Sequence, residues 1–154
     1  MNETKQTRLV TFTLDHQRYA VNLSAVERIV PAAEVTPLPQ APGIVLGVIN
    51  VQGQILPVFN IRRRFGLLER DMDLNDKLII ANTPRRTVVL VVDSATGVIE
   101  RAEHEVTAAE NILPNLKHVE GAAQLEDGIV LIHDLDRFLS LEEERSLTEA
   151  ISRM

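Results

Sequence analysis

Residues Gly47-Val-Ile-Asn-Val-Gln-Gly-Gln-Ile-Leu-Pro-Val58 form two apolar arms joined by a short polar turn. Val48, Ile49, Ile55, Leu56 and Val58 are residue types that fit a pleated, largely buried surface. Asn50 and Gly53 bracket a tight reversal, and glycine accepts the positive φ that such a turn needs. The stretch therefore predicts a β-hairpin. Pro57 cannot donate a ladder hydrogen bond, which predicts an edge strand or a bulge at that point. On pattern alone, this is the core hairpin of a small β-barrel.

Upstream, residues 1–7 are polar and predict a loose terminus. Leu9 to Leu14 reads as a strand, Asp15 to Arg18 as a turn, and Tyr19 to Leu23 as the returning strand. Ser24 and Glu27 have capping-box spacing, which predicts a helical turn or two from Ala25, stopping before Pro31. Residues 31–43 carry four prolines and Gly43, so an extended, stiff surface connection leads into the hairpin.

Downstream, the arginine run Arg62 to Arg64 reads as a solvated strand end or turn, and Glu69 to Lys77 as an exposed acidic loop. Leu78 to Ala81 and Thr87 to Val92 predict another hairpin, and Val98 and Ile99 a short strand. Thr107 and Glu110 form a second possible capping box, with Pro114 ending any helix there. Lys117 to Leu125 and Gly128 to His133 read as strands joined by a turn at Asp127-Gly128. Ser140 and Glu143 would cap a terminal helix with Leu147, Ala150, Ile151 and Met154 on one face. Strands at this spacing, with only short helices, argue for barrels rather than βαβ units.

A chain of 154 residues fits one domain or two intimate subdomains. Its core is almost wholly aliphatic, with four Phe, one Tyr and no Trp. The absence of Cys removes disulfides and thiolate ligands. No apolar run reaches the ~18 residues of a membrane span and no signal peptide opens the chain, so the expected location is cytoplasmic, without direct membrane contact. Net charge −6 disfavours a nucleic-acid partner, whose affinity comes mainly from neutralised phosphates.

Chemistry is sparse. Asp71, Asp73 and Asn75 imitate the opening of a calcium loop, but Asp76 stands where the loop needs glycine and Asn82 where it needs a bidentate glutamate. His16, His104, His118 and His133 are widely separated, without zinc-ligand spacing, and are expected at exposed turns or strand ends. A triad of His133 and Asp134 with Ser94 or Ser24 lacks any nucleophile-elbow motif. Gly43, Gly47 and Gly53 lack a phosphate-binding pattern. Neither an enzyme nor a cofactor or metal site is expected, which leaves a surface for proteins.

The hairpin motif, preceded by Pro37-Leu-Pro-Gln-Ala-Pro42 and followed by Ile61-Arg-Arg-Arg-Phe65, resembles the CheW family of chemotaxis coupling proteins. Further matches lie in register: Val10 to Leu14, Tyr19 to Val21, Val26 to Ile29, Val91 to Asp93, Val98, Val119 to Gly121 and Gly128 to Ile132. The resemblance implies a mainly β fold of two intertwined five-stranded SH3-like β-barrel subdomains, with short helices and a C-terminal helix. It places a single CheW-like domain at residues 8–141 and an amphipathic helix at 142–154.

The implied role is a non-catalytic adaptor between a chemoreceptor's cytoplasmic tip and the regulatory domain of a CheA-type histidine kinase, monomeric outside the receptor array. Carried over motif by motif, Val26, Arg28, Ile29 and Gly47 would face the kinase, and Asn50, Gln52 and Gly53 the receptor. Gln52 stands where the family usually has arginine, and Arg28 where it often has glutamate. Two alternatives stay open: an accessory scaffold of this kind in a related motility or signalling system, and an unrelated small ligand- or nucleic-acid-binding barrel.

Overall fold

The computed structural model describes residues 6–108, 119–126 and 128–154, and among them eleven strands build two sheets. In chain order these are β1 (Gln6–Leu14), β2 (Gln17–Asn22), β3 (Val26–Pro31), β4 (Val45–Val51), β5 (Gln54–Phe59), β6 (Lys77–Asn82), β7 (Thr87–Val92), β8 (Ser94–Ala102), β9 (Val106–Ala108), β10 (Val119–Leu125) and β11 (Gly128–His133). Two α-helices join them, α1 (Ile61–Arg64) and α2 (Leu141–Ser152). The first sheet has the order β8-β1-β2-β11-β10-β9, and the second β3-β6-β7-β5-β4. Neighbours are antiparallel except β2 with β11 and β5 with β7.

Alternation along each strand sorts the side chains into three cores. One face of the second sheet sends Ile49, Leu56, Val58, Leu78, Ile80 and Val89 into its own interior. The first sheet encloses Leu9, Ala20, Ala123, Val130 and Ile132. The remaining faces meet in a larger shared core that includes Phe12, Val21, Phe59, Ile79, Leu90 and Phe138. This is the two-barrel arrangement expected, with the second barrel built from residues 26–92 and set between the strands of the first. The first sheet has six strands rather than five, because the short β9 adds to β10 through Gly121, Ala122 and Ala123.

The decisive hairpin is β4 and β5, which turn through Gln52 and Gly53 at φ 51° and 86°. Its Pro57 does not mark an edge, because β5 lies between β7 and β4. Pro57 pairs with Val48, and the parallel pairing to β7 begins one residue later at Val58, where a donor is needed. The proline-rich connection does run in extended form. Thr36 exchanges backbone hydrogen bonds of 2.9 and 2.8 Å with Val48 and so pairs with the free edge of β4.

Several expectations are corrected. Gln6 and Thr7 are strand residues, paired with Ala102 and Arg101, while residues 1–5 lie outside the described residues. The helix predicted from Ala25 is a single 3-10 turn, Leu23–Ala25, that leads straight into β3. Val26, Arg28 and Val30 pair with Ala81, Ile80 and Leu78, and this tertiary pairing overrides the local capping pattern. Thr107 and Ala108 are in β9 rather than at a helix start; the rest of that helix, His118 and the Asp127 half of the predicted turn lie outside the described residues. At the C-terminus, Ser140 Oγ accepts from the Glu143 N–H at 3.1 Å while the Glu143 carboxylate accepts from the Ser140 N–H at 2.9 Å. That capping box starts α2, whose Leu147 and Ala150 are buried and whose Ile151 packs on the shared core; Met154 is exposed.

Candidate interaction surface

The arginine run that follows β5 is a set of anchors and not a solvated end. Arg62 is buried, and its guanidinium holds Asp15 at 2.8 Å, both Asp93 oxygens at 2.8 and 2.9 Å, and the Leu68 carbonyl at 3.1 Å. Asp15 lies in the β1–β2 turn and Asp93 between β7 and β8, so one side chain joins the two barrels. Arg63 donates to the Gly43 carbonyl, and Arg64 binds Glu143 at 2.7 Å, tying α1 to the start of α2. Arg70 extends the network to Asp93 at 2.6 Å and to the buried Asp76 at 2.7 Å. Asp76 also accepts from the Asp73 N–H, so the 70–76 segment is a pinned loop whose last residue is internal.

Burial alone would raise the Asp93 carboxyl, but hydrogen bonds from Arg62, the Asp15 N–H and Arg70 outweigh it and hold it below its ordinary value. Glu143 behaves in the same way: burial opposes its charge, and the Ser140 N–H and Arg64 overcome it. A carboxyl depressed in the folded state contributes stability that is full above its unfolded value of about 4 and is lost as pH falls through the folded value. The urea midpoint is therefore expected to decline below about pH 4. In Asp93→Asn that decline should be shallower; an identical pH profile in the variant would show that Asp93 does not carry it. Glu120 acts in the opposite sense, since burial and the nearby Asp134 raise it despite a hydrogen bond from Asn22.

His133 is not exposed. It is 4% accessible, stacked on Phe65 at a centroid distance of 3.8 Å and flanked by Tyr19 and Phe138. Of its imagined triad partners, Ser94 Oγ is 2.6 Å from Thr13 Oγ1, and Asp134 accepts from the Asp136 N–H. Among the described residues, no group of three His, Asp or Glu is placed to hold a metal ion, and no helix is long and apolar enough to cross a membrane.

With this frame fixed, two candidate faces emerge on the second barrel. The first is β3, an edge strand. Val26 is half-buried against the shared core, and Ile29 is 41% exposed. Arg28 is half-buried opposite Ile80, with its Nε shielded and without a hydrogen-bond partner among the described residues. The second face is the β4–β5 tip, where Asn50, Gln52 and Gly53 are contiguous and exposed. Asn50 Oδ1 accepts the Gly53 N–H at 2.8 Å, which presets the turn.

Gly47 differs from its supposed companions on β3. It is buried, and a Cβ built on it would lie 2.2 Å from the Thr36 carbonyl oxygen. It serves close packing against Val35 and Thr36 of the segment that follows β3. Pattern reading passed over Leu46, which is 41% exposed, and placed Ile55 on the buried surface, whereas it is 46% exposed near the turn of this hairpin. Leu46 is the extra residue at the β4 bulge between Val45 and Gly47, which turns its side chain outward and is visible only in the strand pairing.

Comparison with known proteins matches residues 8–143 to the CheW-like domain. Relatives named chemotaxis protein CheW include one from Rhizobium meliloti, 28% identical over 137 residues and covering 88% of each chain. Another, from Treponema pallidum, is 25% identical over 149 residues, covering 93% of this chain and 88% of its own. The crystal structure of the scaffolding protein TtCheW from Thermoanaerobacter tengcongensis superposes with a TM-score of 0.81 at 25% identity, over 90% of this chain and 96% of that one.

Proposed function

The chain belongs to the family of CheW-like domains, and from that premise we propose that it is a non-catalytic adaptor coupling chemoreceptors to a CheA-type histidine kinase in bacterial chemotaxis. The observation that supports the reading is the extent of the family match, which takes in both barrels and all eleven strands except Gln6 and Thr7. Membership removes the unrelated ligand- or nucleic-acid-binding barrel from consideration. The adaptor works in the cytoplasm, is monomeric outside the array and needs no cofactor.

In this reading, the kinase regulatory domain docks on β3 through Val26, Arg28 and Ile29, with Gly47 shaping the neighbouring backbone. The receptor's cytoplasmic tip meets Asn50, Gln52 and Gly53. The two faces lie on different strands, so one adaptor can hold both partners at once. Arg28 and Gln52 favour a second version of the same role, an accessory coupling protein. An always-charged guanidinium replaces the usual acid at one face, and an uncharged amide replaces the usual guanidinium at the other, which changes which partners fit.

Ile29→Asp tests the assignment without touching the core. A charge placed in a desolvated contact costs roughly 2 kcal/mol, so affinity for the source organism's kinase regulatory domain is expected to fall about thirtyfold. The melting temperature and receptor binding should stay as in wild type. Arg28→Glu with Gln52→Arg should weaken binding to both native partners and improve binding to partners from a system that keeps the usual residues. A wild type that binds neither kinase nor receptor would overturn the adaptor reading. Unchanged kinase affinity in Ile29→Asp would move the contact elsewhere.

A further inference from the structure

An apolar groove of about 500 Å³ runs between the segment that follows β3 and the pinned 70–76 loop. Ala32, Val35, Leu46, Met72 and Leu74 supply its apolar surface. Leu74 is 94% exposed, although the loop that carries it is held by Arg70 and the Asp73 N–H on Asp76 and by the Asn75 N–H on Asp73. A leucine held out in water on a fixed loop is an arrangement that a docked partner would explain. The groove's margin is acidic, with Glu34, Asp71 and Asp73 around it. Arg70, which also lines it, is committed to Asp76 and Asp93, so its charge does not offset theirs.

We propose that this groove docks a protein segment that is apolar along one side and carries lysine or arginine at its margins. The apolar side would cover Leu46, Met72 and Leu74, and the cations would meet Glu34, Asp71 and Asp73. Opposite charge at the rim steers such a segment and rejects an acidic one. It also rejects a second copy of this chain, whose net charge is −6. The inference stands apart from the kinase and receptor assignments, since it rests on the groove alone.

The full chain, labelled for amide NMR, would be titrated with an amphipathic leucine–lysine helical peptide of about five turns and with its leucine–glutamate counterpart. The lysine peptide should bind at least about tenfold more tightly, and its shifts should centre on residues 32–35, Leu46 and 70–74. Leu74→Asp, at a fully solvated position, should lose about tenfold or more in affinity with an unchanged melting temperature. Glu34→Lys, Asp71→Lys and Asp73→Lys together should invert the preference between the peptides. Equal binding of the two peptides, shifts centred elsewhere, or normal binding by Leu74→Asp would overturn the proposal. Concentration-dependent shifts of the same residues in the protein alone would do so too, by assigning the groove to self-association.

Discussion

Replacing Gly47 by alanine is expected to cost about 4 kcal/mol or more and to leave little folded protein at 37 °C. The added methyl would lie 2.2 Å from the Thr36 oxygen, 2.8 Å from its carbonyl carbon and 2.9 Å from Val35 Cγ1. No flexible side chain can yield there. Thr36 is held by two backbone hydrogen bonds to Val48, so its retreat would break the pairing that covers the edge of β4. Gly53→Ala is the control. Nothing lies within 4 Å of its Cβ position, and only its φ of 86° opposes a side chain, at about 1 kcal/mol. Urea unfolding of both variants measures the contrast; similar midpoints would mean that the close approach at Gly47 is easily relieved. An aspartate at Gly47 is for the same reason a probe of folding and no probe of the kinase contact.

Arg62→Met should cost about 3 kcal/mol, because it removes the buried guanidinium shared by Asp15, Asp93 and the Leu68 carbonyl and leaves Asp93, three-quarters buried, with only Arg70 and the Asp15 N–H against its charge. Methionine fills the stem's volume, which isolates the charge from the packing. The loss should fall on the joint between the barrels, since Asp15 lies in the β1–β2 turn of the first barrel, Asp93 where the chain passes from β7 of the second barrel to β8 of the first, and Arg62 in the helix that follows β5. Arg62→Met combined with Asp93→Asn should recover part of the loss. A cost below about 1 kcal/mol for the single change would put this network in the class of exposed ion pairs.

What was legible in the sequence was local. The hairpin of β4 and β5 and the caps of α2 are read from residues a few positions apart. Ser140 with Glu143 and Asn50 with Gly53 contain their own partners. What was not legible is set by distant residues. Arg62 to Arg64 look like a solvated run until Asp93 and Glu143, 31 and 79 positions away, are brought to them. His133 looks like a strand-end residue until Phe65 stacks on it. Ser24 with Glu27 carried a genuine helix signal that lost to β6, which offers β3 a full ladder of backbone partners. The candidate faces divide similarly. The tip at Asn50, Gln52 and Gly53 follows from its motif, whereas Gly47's burial and the groove beside Leu46 depend on the path of residues 32–36.

The interleaving of the two sheets also fixes an order of synthesis. A ribosome that has released the chain through Val92 has supplied every strand of the second barrel, a contiguous piece with short returns. At that moment β1 and β2, made before any strand of the second barrel, are the least complete. Thr7 awaits Arg101, and Ala20 awaits Ile132, more than a hundred residues behind it. The closure entropy of such long loops is met only when the last strands emerge. The nascent hairpin of β1 and β2 thus keeps Leu9 and Ala20 uncovered until Ala123, Val130 and Ile132 are made, while Phe12 and Val21 can already meet the second barrel, and the uncovered face is what a nascent-chain chaperone would meet.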